Sequence, residues 1–326
     1  MDLLNPTHPQ APDALSEMLQ SIRFRSTVMC RSEMKAPWGF SVVGREFATF
    51  HIVLRGRCLV EVEGLEGQLA LSEGDAVILA RGNAHAVRDS AGSQVTRLEK
   101  LIAGSPLDAH GVLRTGGDGA ETVLVCGGFH FEDADADPIR AALPPLLHVR
   151  GQGRGVGQWV RLTTQFLTEE SDRGRPGAEV VVTRLADILF IEAIRSYLES
   201  PEASRLGIAV ALRDARISAA LAAIHRRPES GWDVETLARR AGMSRTAFAV
   251  RFNDLVGEPP LRYVARCRMR RAVALLRAST ATLPQIAERV GYESEVSFSR
   301  AFRRHLGTSP AAYRRAGGEG ARTAQG

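Results

Sequence analysis

Near its C-terminus the chain reads Ile286-Ala-Glu-Arg-Val-Gly291-Tyr-Glu-Ser294, followed by Phe298, Phe302, Gly307 and Pro310. The same pattern occurs earlier as Leu237-Ala-Arg-Arg-Ala-Gly242-Met-Ser244, followed by Phe248, Phe252, Gly257 and Pro260. The copies are offset by 49 residues at the turn glycines and by 50 at the phenylalanines, so the second turn is one residue longer. The repeat predicts two helix-turn-helix units in the last third of the chain.

Each copy carries the signals that end one helix and begin the next. Glycine takes the left-handed backbone conformation that stops a helix at low cost, so Gly242 and Gly291 mark the two turns. Ser244 and Ser294 stand where an N-cap is expected for the second helix. The phenylalanines are four residues apart and share the inward face. The candidate DNA-contacting residues on the outward side are Arg245, Thr246, Ala249, Val250, Arg251, Glu295, Val296, Ser297, Ser299, Arg300 and Arg303.

The two outward faces differ in the base contacts they can make. Arg300 suits a bidentate contact to guanine, and Glu295 can accept from a cytosine amine. Ala249, Val250 and Val296 offer only apolar contact, for example to thymine methyl groups. In the first copy, Arg245 and Arg251 are suited to phosphates, which position a protein without specifying sequence. We therefore expect the second copy to read bases more strongly.

Charge is concentrated in the same region. Residues 226–315 contain 18 Arg, no Lys and 8 Asp plus Glu, a net charge of +10 in a chain of net +5, so the remainder carries −5. A basic segment on a mildly acidic body is typical of a nucleic-acid module joined to another domain. A solvated charged face is the alternative. Six of these arginines lie in the connector 260–277. As a rigid helix, the connector would set the two readers about 34 Å apart, one turn of DNA.

The N-terminal half has a different periodicity. Short apolar runs at 49–54, 58–63, 76–80 and 122–126, separated by glycine-containing turns, predict strands of a small barrel or sandwich. Residues 103–121 are polar and glycine-rich and predict a long loop. Helices are expected at 157–170 and 178–200. The second is apolar over so much of its circumference that its extra face could meet a partner subunit or be buried within one subunit.

Residues 217–316 resemble the DNA-binding domain of the AraC/XylS family of bacterial transcription regulators. The signature runs from Ile286 to Arg315 and covers both Gly291 and the Phe298–Phe302 pair. The resemblance implies a seven-helix domain with two helix-turn-helix motifs that lie in major grooves of double-stranded DNA. It also implies, in most members, activation of transcription.

The N-terminal domain resembles the cupin-like sensor domain found in one branch of these regulators. Gly74-Asp-Ala-Val-Ile-Leu-Ala80-Arg-Gly82-Asn-Ala-His85 is similar to the second cupin motif, with Ala80 where proline is usual. Phe50-His-Ile-Val-Leu-Arg-Gly56 stands where the first motif is expected, with one histidine instead of a pair. Cupin motif histidines line the barrel mouth and bind a metal.

Four residues of this domain form a candidate metal or redox site. His51 and His85 are comparable to cupin ligands, and a closed site needs about four donors, which Cys30 and Cys126 would complete. The set would make a tetrahedral zinc site or a thiol redox sensor, with His130 as a spare ligand. The alternatives are buried cysteines that act as small hydrophobes, beside an empty pocket for an organic effector.

These patterns predict an α+β multidomain protein. Its parts are an N-terminal extension (1–20), a cupin-like β-barrel sensor (21–150), a helical linker or dimerisation region (151–216), a double helix-turn-helix domain (217–316) and a disordered tail (317–326). We expect no signal peptide and no membrane span, since the N-terminus lacks a basic segment and no apolar run is long enough. Four widely spaced cysteines favour a reducing compartment.

The predicted function is sequence-specific binding of paired half-sites on double-stranded DNA by a homodimer. The protein would act in the bacterial cytoplasm on the nucleoid, recruit RNA polymerase, and respond to a small-molecule, metal or redox effector without being an enzyme. A cupin metalloenzyme fused to a DNA-binding domain is one alternative, against which the incomplete ligand set counts. An architectural DNA binder with little specificity is another.

Overall fold

A computed structural model of the chain describes residues 13–21, 24–109, 111–131, 143–151, 176–205 and 207–315, together with Leu162, Gln165, Phe166 and Glu169. The described residues fall into two compact units. One is β-rich and holds those between 24 and 203. The other is helical and holds residues 13–21 and those from 204 onward. No helix among the described residues is long and apolar enough to cross a membrane.

The β-rich unit consists of two sheets. One has the strand order β11-β6-β3-β10-β1-β9 and the other the order β5-β4-β7-β2-β8. Pairing is antiparallel except for β1 with β9 and β2 with β8. The strands are β1 (Phe24–Lys35), β2 (Gly39–Val42), β3 (Ala48–Arg55), β4 (Arg57–Val62), β5 (Leu69–Ser72), β6 (Ala76–Leu79), β7 (His85–Arg88), β8 (Thr96–Arg97), β9 (Val112–Gly116), β10 (Glu121–Phe131) and β11 (Leu147–Val149).

The strands differ from the sequence prediction in two respects. The cupin-like β-rich domain is confirmed, but its described strands pair into two separate sheets and do not close into one barrel. The long loop predicted at 103–121 is wrong, because β9 lies inside it. Val112 and Leu113 are buried, and the backbone of this short segment pairs with the edge of β1, which a glycine-rich composition does not reveal.

Strand β3 is buried on both faces because each face has a different neighbour. His51 and Val53 are buried with the enclosed side chains, and Val53 belongs to an apolar cluster with Cys30, Leu124 and Cys126. Phe50 is on the opposite face, where the first long helix covers the sheet. Because side chains alternate between the two faces of β3, one face contributes His51 to the enclosed cluster and the other face packs against the helix.

That helix is α3 (Ala178–Glu199), as the sequence predicted; the shorter α2 (Leu98–Gly104) precedes it. Phe190 of α3 packs on Phe129, with ring centroids 4.5 Å apart. Ser26 Oγ of β1 donates to the Thr183 carbonyl oxygen at 2.9 Å. Apolar side chains remain exposed elsewhere on α3, among them Val180, Val181 and Ile188. The helix predicted at 157–170 lies almost entirely outside the described residues.

The helical unit contains both predicted helix-turn-helix motifs. Its helices are α1 (Ala14–Ser21), α4 (Gly207–Arg213), α5 (Ala215–Arg226), α6 (Val234–Arg240), α7 (Arg245–Val256), α8 (Pro260–Ala278), α9 (Leu283–Arg289) and α10 (Glu295–Leu306), and residues 310–315 are also helical. Helix α1 packs on α5, where Glu17 accepts from Arg226 at 2.6 Å. This contact has no counterpart in the sequence prediction.

The capping signals act as the sequence predicts. Ser244 and Ser294 accept from the backbone N–H groups of Ala247 and Ser297, three residues on. Gly242 and Gly291 have φ values of 61° and 83°, the left-handed region expected at each turn. The inward-facing phenylalanines are all fully buried: Phe248, Phe252, Phe298 and Phe302.

Candidate nucleic-acid interface and buried thiol-imidazole cluster

Helices α7 and α10 each bury two phenylalanines on one face. The opposite face of each helix is exposed to solvent and carries both polar and apolar side chains. Val250 and Val296 are 57% and 61% exposed, although exposing an apolar side chain to water is unfavourable. Every predicted DNA-contacting side chain is exposed or half-buried. An open concavity of about 690 Å³ on α10 is lined by Glu295, Val296, Ser299, Arg300, Arg303 and Arg304.

The arginines of the two faces differ in their partners. Arg251 donates to the Asp214 carboxylate, which also caps α5. Within the described part of the chain, Arg245, Arg300 and Arg303 have no ion pair. Those three guanidinium groups therefore remain available to an anionic partner, whereas Arg251 would have to share Asp214 or leave it.

The structure brings Cys30, His51, His85 and Cys126 together inside the β-rich unit. His51 Nδ1 lies 3.0 Å from Cys126 Sγ, and its Nε2 lies 2.7 Å from His85 Nε2. His85 Nδ1 in turn lies 2.9 Å from the Asn83 carbonyl oxygen. A carbonyl only accepts, so His85 donates to Asn83 and its Nε2 accepts from His51. His51 Nδ1 is then left to accept from the Cys126 thiol.

Cys30 stands directly opposite Cys126 across the antiparallel pair of β1 and β10. The single Cys126 S–H is shared between His51 Nδ1 and the Cys30 sulfur. Its hydrogen bond to Cys30 lowers the pKa of Cys30 to about 7, against the effect of burial. That hydrogen bond and burial raise the pKa of Cys126 well above its usual range. Burial also lowers the pKa of His51 well below its usual value, so the imidazole is neutral. Of the two thiols, Cys30 is therefore the more acidic.

The four side chains do not fit a zinc ion as they are arranged. Two nitrogen ligands of tetrahedral zinc lie about 3.3 Å apart, given Zn–N bonds of about 2.0–2.1 Å. The His51–His85 separation of 2.7 Å is a hydrogen bond instead. No group of three or more His, Cys, Asp or Glu side chains among the described residues converges as a metal site. His130, the spare ligand, lies against Phe47 with ring centroids 4.1 Å apart.

A separate cavity of about 560 Å³ lies near the end of β1, lined by uncharged residues such as Trp38 and Gln94. Trp38 is 5% exposed, and its indole N–H has no hydrogen-bond partner among the described residues. Its ring stacks on Phe40 with centroids 6.2 Å apart. The Phe40 ring lies 5.9 Å from that of His51. Aromatic contacts thus connect the cavity to the thiol-imidazole cluster.

Sequence reasoning missed several of these residues. Cys58 lies in the same apolar cluster as Cys30 and Cys126, and burial raises the pKa of its thiol to about 12. Phe40 lies against both Trp38 and His51 because of strand pairing, which the spacing of residues along the sequence does not reveal. Asp214 had a readable signal, since an Asp directly before an amphipathic helix predicts an N-cap.

Comparisons with known proteins agree with this geometry. A cupin family model matches residues 13–199, and a helix-turn-helix domain model matches residues 237–316. The HTH-type transcriptional regulator AlkR of Acinetobacter baylyi is 33% identical over 306 residues, which cover 93% of this chain and 99% of AlkR.

Two further relatives align over most of their own length. A putative AraC-like transcription regulator of Streptomyces lividans is 30% identical, covering 93% of this chain and 98% of the relative. The RCS-specific HTH-type transcriptional activator RclR of Escherichia coli K12 is 31% identical, covering 60% of this chain and 69% of RclR. The chain therefore belongs to the AraC family of DNA-binding transcription regulators, in the branch that carries an N-terminal cupin domain.

Proposed function

We propose that the protein activates transcription by placing the N-terminal halves of α7 and α10 in successive major grooves of a specific site. The observation that carries this proposal is the pair of exposed helix faces, each seated on its own buried phenylalanines. Among the described residues, Arg245 on α7 and Arg300 and Arg303 on α10 have no ion pair. Activation, which implies a contact with RNA polymerase, is supported by the name of the relative RclR, a transcriptional activator.

The α10 face carries most of the expected sequence readout. Glu295, Ser299 and Arg300 supply acceptors and donors that can discriminate base pairs in the major groove. The α7 face supplies Val250 and a free Arg245, which suit methyl and phosphate contacts. Base-specific contacts therefore concentrate on one half of each site.

Selection of bound sequences from a random DNA pool, with the full chain, tests this reading. We expect a site with one strongly specified block and one weaker block about one helical turn away. Paired copies of that site would indicate a dimer. A flat profile with a strong salt dependence would support an architectural DNA binder and overturn the proposal. Transcription from a promoter carrying the selected site, with purified RNA polymerase, separates activation from repression.

The sensor input is proposed to be oxidation of Cys30 and Cys126 to a disulfide by a peroxide-class oxidant. Opposed residues of an antiparallel pair have Cα atoms about 4.5–5.5 Å apart, inside the range that a disulfide spans. The Cys30 thiolate attacks a peroxide oxygen and breaks the O–O bond, which gives a sulfenic acid and a hydroxide that takes a proton from solvent to form water. Cys126 then attacks the sulfenic sulfur, forms the S–S bond and displaces the sulfenic hydroxyl. The Cys126 proton passes first to His51 Nδ1, 3.0 Å away, and then to the departing hydroxide, which leaves as the second water.

Peptide mass spectrometry before and after hydrogen peroxide treatment, combined with DNA binding, tests the sensor. Wild type should gain a Cys30–Cys126 disulfide and change its DNA occupancy several-fold. Cys30→Ser should lose both responses, while Cys267→Ser, in the buried core of the helical unit, should keep them. Thiols that stay reduced, or a disulfide that leaves DNA occupancy unchanged, would contradict the proposal.

A neutral organic effector is the second candidate, favoured by the cavity beside Trp38. Its volume lies in the range of small-molecule pockets, and its lining combines uncharged polar groups with the aromatic side chain of Trp38. Acetophenone, a neutral ketone, serves as the probe. A rise in thermal midpoint for wild type that Trp38→Phe removes would favour this effector. No rise, with an intact peroxide response, would leave oxidation as the input.

Three further assignments complete the proposal. The protein acts as a homodimer through the exposed side of α3, in the bacterial cytoplasm on nucleoid DNA. The cupin domain senses and does not catalyse, which is supported by the names of the relatives and by the hydrogen-bonded His51–His85 pair that replaces a metal cage. Zinc content near one per chain, lost on His85→Ala, would reverse the assignment of a metal-free site.

A further inference from the structure

The two helix-turn-helix motifs have separate apolar cores. One core contains Phe248, Phe252 and the α8 residue Cys267. The other begins with the α8 residue Met269 and contains Phe298 and Phe302. Arg268 therefore occupies the boundary between the two cores on the one helix that enters both. Without further contacts, bending of α8 at this point would change the distance and angle between α7 and α10.

In addition to helix α8, polar contacts at this boundary join the two motifs. Arg268 Nε donates to the Pro228 carbonyl oxygen and Nη2 to that of Ser230, both at 2.8 Å. The same guanidinium group lies 5.5 Å from the centre of the Tyr292 ring, in the turn of the second motif. Residues 228–230 connect α5 to α6 in the first motif. One half-buried side chain thus touches both motifs.

The turn of the second motif lies directly against the same segment. A Cβ atom at Gly291 would be 2.3 Å from the Glu229 carbonyl oxygen, a distance that backbone atoms do not allow. At the equivalent Gly242 nothing lies within 4 Å of such an atom. Arg271, one turn of α8 beyond Arg268, pairs with the Glu229 carboxylate. The close approach is therefore specific to the second copy and is reinforced by an ion pair.

We infer that Arg268, with residues 228–230 and the Gly291–Tyr292 turn, forms a clamp that fixes the separation of the two DNA-reading helices. The inference rests on the proposed entry of both α7 and α10 into DNA. Arg268 itself is a positioning residue, since its donors are used on backbone carbonyls. The clamp would set the number of base pairs allowed between the two contacted blocks. Adding one base pair moves one block by about 3.4 Å and rotates it by about a tenth of a turn.

The test compares full-length protein on the selected site and on sites with one base pair inserted or removed between the two blocks. Wild type should lose at least tenfold in affinity on the altered spacings. Arg268→Ala should lose no more than about threefold relative to its own best site. Arg262→Ala is the matched control, because Arg262 is an exposed α8 arginine paired with Glu258, and it should retain the wild-type spacing penalty.

Two outcomes distinguish failure of the clamp from failure of the proposed DNA-binding mode. A spacing penalty that is equal in Arg268→Ala and wild type would overturn the clamp, whereas a wild-type footprint over only one block would overturn the entry of both helices. Arg268→Lys covers the case in which the alanine variant does not fold. Lysine keeps the charge but lacks the planar fork that reaches two carbonyls, so its penalty should lie between those of wild type and Arg268→Ala.

Discussion

Single residues decide how the two DNA-reading helices differ. Arg300 and Arg245 are both exposed and free of ion pairs among the described residues, yet their neighbours differ. Arg300 stands beside Glu295 and Ser299, while Arg245 stands at the first turn of α7, a helix whose exposed side chains include apolar Val250. A base-reading role for Arg300 and a phosphate role for Arg245 follow from these surroundings.

We predict that Arg300→Ala relaxes sequence preference more than Arg245→Ala does. Loss of a bidentate base contact costs about 1–3 kcal/mol on the cognate base only, whereas loss of a phosphate contact weakens all sequences alike. The ratio of affinities for the selected site and for a site changed at one base pair measures the difference. The reverse order would show that the copies are ranked wrongly.

His225 makes the stability of the helical unit dependent on pH. Burial, with the positive charges of Arg270 and Arg266, lowers the pKa of His225 to about 3. The unfolded chain, with an ordinary histidine pKa of about 6.5, binds more protons between these values, so stability falls as pH falls below about 6.5. The loss between pH 7 and pH 5 is roughly 2 kcal/mol for this group.

The variant His225→Gln tests that dependence. Glutamine can keep a hydrogen bond to the Tyr263 hydroxyl, which lies 2.7 Å from His225 Nε2, but it does not titrate. Thermal midpoints of both proteins at pH 7 and pH 5 should show a smaller drop for the variant. Equal drops would mean that other groups cause the acid sensitivity.

At the scale of elements, periodicity predicted helix α3 correctly and missed strand β9. The sequence predicts helix α3 because its apolar residues repeat at helical spacing over 22 residues. Strand β9 was missed because five residues among glycines and charges show no alternation, and its place depends on the free edge of β1. Long local patterns specify an element, whereas a short edge strand is specified by its neighbour.

Helix α3 also carries the dimer prediction. Val181 and Ile188 are 44% and 43% exposed and lie two turns apart on one side of the helix. Ile188→Asp should shift the protein from dimer to monomer in sedimentation velocity, because a charge would be buried at the interface. Leu65→Asp, at another exposed apolar position of the same unit, is the control and should stay dimeric. A dimeric Ile188→Asp would place the interface elsewhere.

At the scale of the whole molecule, positive charge is concentrated in the DNA-binding part of the chain, and the remainder is mildly acidic. Residues 226–315 carry net +10 and the rest of the chain −5. Ion pairs engage several of these arginines, among them Arg226, Arg251 and Arg271. The remaining guanidinium groups, Arg300 and Arg303 among them, provide the field that attracts a phosphate backbone.

Affinity for the selected DNA site should therefore fall steeply with salt. Six or more neutralised phosphates predict a loss of about 10³-fold or more between 50 and 200 mM salt. Fluorescence anisotropy of labelled duplexes measures this change, and Arg303→Ala should reduce the logarithmic slope by about one. A change of less than tenfold would show that few phosphates are contacted.

The amino-acid sequence was enough to predict the two helix-turn-helix motifs, their caps and their inward phenylalanines, because these depend on residues within four positions of one another. It also identified Cys30, His51, His85 and Cys126 as one set. The arrangement of the set required the three-dimensional structure, in which the four side chains form a hydrogen-bonded chain ending in an opposed thiol pair and are not spaced as tetrahedral zinc ligands. Long-range pairing of β1, β3 and β10 aligns Cys30, His51 and Cys126, and His85 reaches them from β7 of the other sheet. The Arg268 clamp has the same origin, since it joins segments about 40 residues apart.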